Sequence, residues 1–450
     1  MTPPDMVESA HELAGSLAGG AKGTRPTTPG ARSDTSDVPR FAPLLAFGFT
    51  GDRRSMAFVS NDTLAMVVGR TVALYRLSDE TGNHTHQRVR LSKPPPSVAE
   101  VLEITLGKWS NKLLALENTS NGNQQIAIVD CMTLERLATI VLKADTPVTC
   151  TCPSIDGSVV VATTGDNDDE KDGGLCAWWG ESNWRVNGCT DIKGLGWPLK
   201  VTANPYDKYE YVLHGKRFVK KLTLDVDKAT WREIPLSGVK HVSRKDMIIV
   251  EHEWLRTDSE TPTVAIATER DGVLILTKET VERVVSVPGE DPVYCIAALN
   301  DGLFVGCGRG NLHFYRQTVA LPSGKSKGHT HRQPEVQHEH AGIFPTRPDE
   351  VEPIVTVAIS PDENVAAVYT KDEAIFQFSV GRMLSNLEAD VAKTTEKLTE
   401  EEEAVKKTIE AGTGHNFGSQ LGLHEADEID GNSNEASGSR VREDSPEHNG

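Results

Sequence analysis

The stretch DGLFVGCGRGNLHFYR, Asp301 to Arg316, decides how the chain is read. Its glycines, Gly306, Gly308 and Gly310, mark either a phosphate cradle or a tight turn. A dinucleotide loop needs G-x-G-x-x-G between a strand and a helix, so that the helix N-terminus receives the pyrophosphate. Here the spacing is G-x-G-x-G and the chain runs on into a second aromatic run, NLHFYR. Gly308 and Gly310 are therefore expected to be turn residues that take positive φ in a β-hairpin.

The hairpin is repeated. Asn61 to Arg76 reads NDTLAMVVGRTVALYR, which aligns with Asn300 to Arg316 when one inserted glycine is allowed. Leu64 then matches Leu303, Gly69-Arg70 matches Gly308-Arg309, and Tyr75-Arg76 matches Tyr315-Arg316. Weaker copies are SNKLLALEN…QQIAIVD, GSVVVATT…GLCAWW, KYEYVLHGKRFVKKLTL, TVAIATERDGVLILT and ENVAAVYTKDEAIFQFSV. Seven copies at a mean spacing of roughly 45–50 residues fit a WD-type blade of ~40–45 residues plus insertions. One blade cannot cover its own faces, so blades stack around a ring. The reading is all-β: a seven-bladed WD40-type β-propeller over 41–382. The earlier run LLAFGFT (44–50) is expected to supply the outer strand of the last blade and close the ring.

The flanks differ in texture. Residues 1–40 are rich in Gly, Ala, Ser, Thr and Pro without periodicity and are expected to be disordered. Residues 383–411 carry Leu384, Leu387, Val391, Leu398 and Val405 at three- and four-residue steps, the pattern of an amphipathic or coiled-coil helix that could dimerise. Thr394 and Glu401 interrupt that seam. Residues 412–450 read as a disordered acidic tail, with a Ser445-Pro446 dipeptide near its end.

Bulk composition excludes several functions. A formal net charge of −18 and a pI near 5.3 argue against nucleic-acid binding, which needs a basic footprint. They argue equally against general attachment to anionic membranes. The N-terminus lacks the pattern of a targeting peptide and no apolar run approaches a membrane span, which points to a soluble intracellular protein. Of seven cysteines, most sit in apolar runs such as VTCTC and VYCIAAL, as buried reduced thiols. Cys150 and Cys152 share a strand face without a second pair at zinc spacing.

Each candidate for chemistry has a plainer reading. Gly324-Lys325-Ser326 resembles the end of a Walker A motif, but the first glycine would fall at Val319. The insertion from Leu321 to Glu352 carries His329, His331, His338 and His340, and reads as a solvated loop with adventitious metal affinity. His84 and His86 read the same way. Asp168, Glu170, Asp172 and Gly173 begin a calcium-loop pattern that should end in Glu and ends in Trp179. GESNW (180–184) is the nearest approach to G-x-S-x-G and ends in Trp184. Trp178, Trp179, Trp184 and Trp197 are read as blade packing. No catalytic, cofactor-binding or metal residues are assigned, and no cofactor is expected.

DPVYCIAALNDGLFVGCGRGNLHFYR, VTVAISPDENVAAVYTKDEAIFQFSV and GDRRSMAFVSNDTLAMVVGRTVALYRL resemble the first propeller of the cilia- and flagella-associated WD-repeat proteins. The resemblance covers about residues 45–380, and the order of the motifs carries most of its weight. It implies a non-enzymatic axonemal scaffold, linked to inner dynein arm attachment and to motility or assembly of the cilium or flagellum, with cytoskeletal localisation and protein partners. Members look like two tandem propellers followed by a long coiled coil. Here one propeller is followed by a short helix and a polar tail, as in a shortened relative or a fragment of a longer protein. The alternatives are a cytosolic WD-repeat adaptor, of ubiquitin-ligase or trafficking type, and a metal-dependent propeller hydrolase.

Overall fold

The computed structural model describes residues 42–44, 54–77, 90–107, 111–142, 147–165, 173–180, 184–190, 196–225, 229–236, 247–256, 262–320, 335–347 and 351–412. A short strand, β1 (Ala42–Leu44), opens the described chain. Blade 1 follows as β2 to β5 (Met56–Ser60, Thr63–Val68, Thr71–Arg76, Arg90–Leu91). Blade 2 is β6 to β9 (Val98–Leu106, Lys112–Thr119, Gln124–Asp130, Arg136–Val141). Blade 3 is β10 to β13 (Val148–Pro153, Val159–Gly165, Gly173–Trp179, Arg185–Thr190). Blade 4 is β14 to β17 (Lys200–Ala203, Glu210–His214, Val219–Leu224, Ala229–Glu233). Blade 5 is β18 to β21 (Ile249–Leu255, Thr263–Thr268, Gly272–Thr277, Thr280–Val285). Blade 6 is β22 to β25 (Val293–Leu299, Gly302–Cys307, Asn311–Ala320, Glu335–Pro345). Blade 7 is β26 to β28 (Ile354–Ile359, Val365–Thr370, Ile375–Ser379) completed by β1, in the order β1-β28-β27-β26. These are seven antiparallel four-stranded sheets.

The ring is closed by packing as well as by pairing. Seven apolar clusters each join two consecutive blades, and one of them sets Ala367 and Ile375 of blade 7 against Leu64 and Met66 of blade 1. A middle strand is therefore covered on both faces: β23 is buried along its whole length and β3 along all but its ends. Outer strands alternate instead, as in β9 and β21.

The expected closing strand is present as β1. Ala42 pairs with Gln377, Pro43 with Phe376 and Leu44 with Ile375; Leu44 opens the predicted run, and 45–50 lie outside the described residues. Pro43 is tolerated because an outer strand needs its ladder on one side only.

Polar side chains fix the turns between first and second strands. Ser60 donates to Asp62 at 2.8 Å, Ser154 to Asp156 at 2.7 Å and Ser360 to Asp362 at 2.7 Å. Each short side chain satisfies a turn that would otherwise compete for water.

The opening glycines are architectural, with one correction. Gly310 takes φ +71 in the β23–β24 turn. Gly308 does not adopt positive φ; it is small because a Cβ there would meet Pro292 Cγ at 2.8 Å. Gly306 lies between blades, where a Cβ would meet Cys295 Sγ at 2.5 Å and Ile354 Cγ2 at 2.7 Å.

The second correction concerns the His-rich insertion. Its C-terminal part is not a loop but β25, which pairs with β24 from Asn311↔Pro345 to Ala320↔Glu335. His338 and His340 are strand residues, whereas His329 and His331 lie outside the described residues. His84, His86 and the acidic loop from Asp166 to Asp172 also lie outside them, as do 1–40 and 413–450.

The helix α1 spans Val380–Gly412. Contacts divide the chain between Leu387 and Glu388. In the first part Met383 is buried, and Leu384 and Leu387 pack on the cluster between blades 6 and 7. Gly342 of β25 makes the seat, since a Cβ there would meet Leu387 Cδ2 at 2.3 Å. The first two positions of the expected seam are thus occupied by the propeller itself. From Glu388 onward the helix is a separate unit, and exposed Glu and Lys residues punctuate it.

Candidate functional site

The inner strands β2, β6, β10, β14, β18, β22 and β26 surround a central channel with a cavity of about 390 Å³. Most inner strands start with a bulge, for example between Val148 and Cys150, Ile249 and Glu251, and Ile354 and Thr356. A bulge bends the strand and re-aims its side chains. Arg54, Glu103, Thr151, Lys200, Glu251 and Arg256 line the channel.

These charges answer one another across blades. Arg54 Nη1 lies 2.9 Å from Glu103 Oε2, while its Nη2 donates to the Thr149 carbonyl at 3.0 Å. Glu103 also accepts from Thr105 Oγ1 at 2.9 Å and from the Thr151 amide at 3.3 Å, tying blades 1, 2 and 3 together. Lys200 Nζ donates to Glu251 Oε1 and Glu253 Oε1, both at 2.6 Å, and to the His252 carbonyl at 3.1 Å. Burial works against the Lys200 ammonium, but the Glu251 and Glu253 carboxylates outweigh it and raise its pKa. Arg256 and the Asn300 amide converge on Glu363, linking blades 5, 6 and 7.

Two arrangements on the channel wall test the hydrolase alternative. Cys150 and Cys152 share a buried face of β10, as the sequence predicts. Burial pushes the Cys152 thiol up to about 12, which leaves it protonated and a poor nucleophile. Thr202 Oγ1 lies 2.7 Å from His252 Nε2, and His252 Nδ1 lies 2.5 Å from His214 Nδ1. A hydroxyl, an imidazole and an orienting group in line is the order of a catalytic triad. The third member of a working triad is a carboxylate that stabilises the imidazolium. Here burial first, then the His214 ring, then the Lys200 ammonium hold His252 well below the usual imidazole range. The row spans blades 4 and 5 as a buried polar strut whose third member is an imidazole where a triad has a carboxylate.

That strut has a pH consequence. The folded pKa of His252 is depressed, while an unfolded histidine titrates near 6.5. Below that value the unfolded chain binds a proton that the folded chain refuses, so stability is full above it and falls as the pH drops. The expected slope for this group is about 1.4 kcal/mol per pH unit below pH ~6.5. Denaturant midpoints between pH 7.5 and 5.5 measure it. His252→Gln should reduce the slope by about that amount, and an unchanged slope would assign it to the other histidines whose pKa is lowered, His313, His338 and His340.

Blade 6 holds a second polar cluster, which sequence reasoning missed. Asp291 precedes β22, Cys307 ends β23 and His313 lies in β24; all are buried and their ligand-type atoms lie within 4.8 Å of one another. The Asp291 carboxylate accepts from the Arg309 amide at 3.0 Å and from Asn311 Nδ2 at 3.5 Å. His313 Nδ1 lies 3.1 Å from His340 Nε2, and His313 Nε2 is buried with no hydrogen-bond partner. His340 is one of the four histidines singled out in the sequence, and it faces this cluster. His338 is largely enclosed; burial and then the Arg283 charge lower its imidazole pKa to about 4. Three of the four tryptophans singled out in the sequence act in packing: Trp178 and Trp184 between blades 2 and 3, Trp179 5.9 Å from Tyr209 between blades 3 and 4.

Outside the ring, apolar side chains are exposed on blades 1 and 2. Leu91 of β5, Met132 before β9, and Leu137 and Val141 of β9 are each at least half exposed. Arg90 Nη1 donates to the Met132 carbonyl at 3.1 Å, which ties β5 of blade 1 to the turn that precedes β9 of blade 2.

No family model matches the chain, and no curated protein matches it. Among solved structures, a chain of the crystal structure of the mitotic checkpoint complex superposes with a TM-score of 0.53 at 14% identity. The match covers 79% of this chain and 99% of that one. At that identity the likeness establishes the fold alone. The chain folds as a seven-bladed β-propeller of the WD40 type.

Proposed function

We propose that the chain is a non-enzymatic scaffold that docks protein partners on its outer surface, in the axoneme of a motile cilium or flagellum. The observation that carries the docking role is the exposure of the apolar side chains Leu91, Met132, Leu137 and Val141 on or beside the outer strands of blades 1 and 2. An exposed apolar patch on the surface of a folded domain is a mark of an interaction site, and four of the exposed large apolar side chains belong to blades 1 and 2. The channel supports the same reading, because its cations face carboxylates of other blades. The axonemal placement rests on the resemblance of the blade motifs to the cilia- and flagella-associated WD-repeat proteins.

The test is fractionation of flagellated cells that contain the native protein. Detergent-extracted axonemes washed in high salt should retain it. Complete release into the soluble fraction would overturn the axonemal placement and favour a cytosolic adaptor. On retained axonemes, Leu137→Asp with Val141→Asp should reduce retention severalfold without changing the unfolding midpoint. Unchanged retention would move the docking surface away from blade 2.

A further inference from the structure

We propose that Asp291, Cys307 and His313 bind one divalent transition-metal ion, zinc by the chemistry of the donors, inside blade 6. The three residues come from different places: the loop entering the blade, the end of its second strand and the early part of its third. Asp291 is 5% exposed, His313 1% and Cys307 0%. A carboxylate, a thiol and an imidazole gathered with no Lys or Arg ion pair among the described residues need a reason to be together in a core. A mixed S, N and O donor set selects zinc or cobalt over magnesium or calcium.

The geometry of His313 singles out this role. Its Nε2 is buried without a partner, while its Nδ1 is turned toward His340 Nε2. With the proton on Nδ1 and donated to His340, the buried Nε2 keeps a free lone pair for a metal. A metal-bound histidine is held in this way, with its second nitrogen fixed by a hydrogen bond. His340 is thus a positioning residue. Asp291 is fixed from the other side by the Arg309 amide and Asn311. Gly308 leaves room beside it, since a Cβ there would sit 3.4 Å from Asp291 Oδ1 and 2.8 Å from Pro292 Cγ.

Zinc bond lengths of 2.0–2.3 Å place tetrahedral donor atoms about 3.3–3.8 Å apart. The 4.8 Å span therefore closes with roughly an ångström of side-chain adjustment. Binding exchanges the Cys307 thiol proton for the metal, and the proton leaves to solvent. The ion would pin the loop entering blade 6 to its β23–β24 turn, a structural role that adds to the scaffold reading without depending on it.

The experiment uses the full chain, purified under reducing conditions, stripped with chelator and titrated with Zn²⁺ or Co²⁺ alone. The expected result is one equivalent bound, a thiolate-to-cobalt charge-transfer absorption, and an unfolding midpoint that rises with zinc. Cys307→Ser should abolish that absorption, while Cys131→Ser, a buried thiol in blade 2, should leave it intact. His340→Gln should weaken zinc binding about 10- to 100-fold while the cobalt absorption is kept at saturation. If Cys307→Ser fails to fold, His313→Gln replaces it and should weaken cobalt binding by more than about 100-fold. No stoichiometric binding overturns the proposal. So does cobalt binding without the thiolate absorption, which would place the ion on the His-rich segment, and so does absorption that survives Cys307→Ser.

Discussion

Lys200→Met should destabilise the propeller by about 3–5 kcal/mol, because it removes one partner of a buried ion cluster. The Lys200 side chain is 19% exposed and faces Glu251 at 10% and Glu253 at 32%. With the ammonium gone, two carboxylates on one strand remain side by side in the channel wall without their cation. Removing a partner is far costlier than replacing the whole group by apolar residues of similar volume. Adding Glu251→Met to Lys200→Met should therefore recover at least half of the loss. Urea unfolding midpoints of the two variants decide it. A loss below about 0.5 kcal/mol for the single variant would place the cluster among solvent-screened surface pairs.

Deleting residues 1–45 should be the second large perturbation. It removes β1 and leaves the outer edge of β28 without its three paired residues. At a net value near 1 kcal/mol per ladder hydrogen bond, the loss is about 2–3 kcal/mol. The ring should not fall apart, because the apolar cluster between blades 7 and 1 remains. An open strand edge is also a template for pairing with another chain, so the truncated protein should self-associate. Deletion of residues 1–38 is the matched control and should change neither property. Sedimentation velocity and the unfolding midpoint read both effects; equal behaviour of the two truncations would contradict closure by β1.

What was legible in the sequence follows from which strands are covered on both faces. Each recognised repeat is the hairpin of a blade's second and third strands: Thr63–Arg76 in blade 1, Lys112–Asp130 in blade 2, Gly302–Arg316 in blade 6. Those strands lie between neighbouring blades and read as unbroken apolar runs such as LAMVV and LFVGC. Outer strands face water along one edge and read as RLATIV, ATWRE or TVERVV, which compose like loops. The C-terminal part of the His-rich segment was hidden for the same reason: EVQHEHAGIFP is polar, yet it is the outer strand of blade 6.

The sites were less legible than the fold. Glu103, Lys200 and Glu251 are charged residues inside strands, a signal that they face a polar interior, but pairing one blade's cation with the next blade's carboxylate needs the ring. Asp291, Cys307 and His313 are separated by 16 and 6 positions and follow no metal-binding spacing. They meet because a hairpin folds back beside the loop that enters its own blade. The helix was legible as a helix, but the docking of Leu384 and Leu387 depends on Gly342, which a sequence scan reads as one more loop glycine.

The central claim is that the ring works by holding other proteins on its surface. Cross-linking mass spectrometry on salt-washed axonemes tests it most directly. The account predicts reproducible links to other proteins from exposed Lys93, beside Leu91 on blade 1, in preference to exposed lysines of other blades such as Lys216, Lys278 and Lys371. A protein that yields only links within its own chain, and runs as a free monomer after extraction, would contradict it.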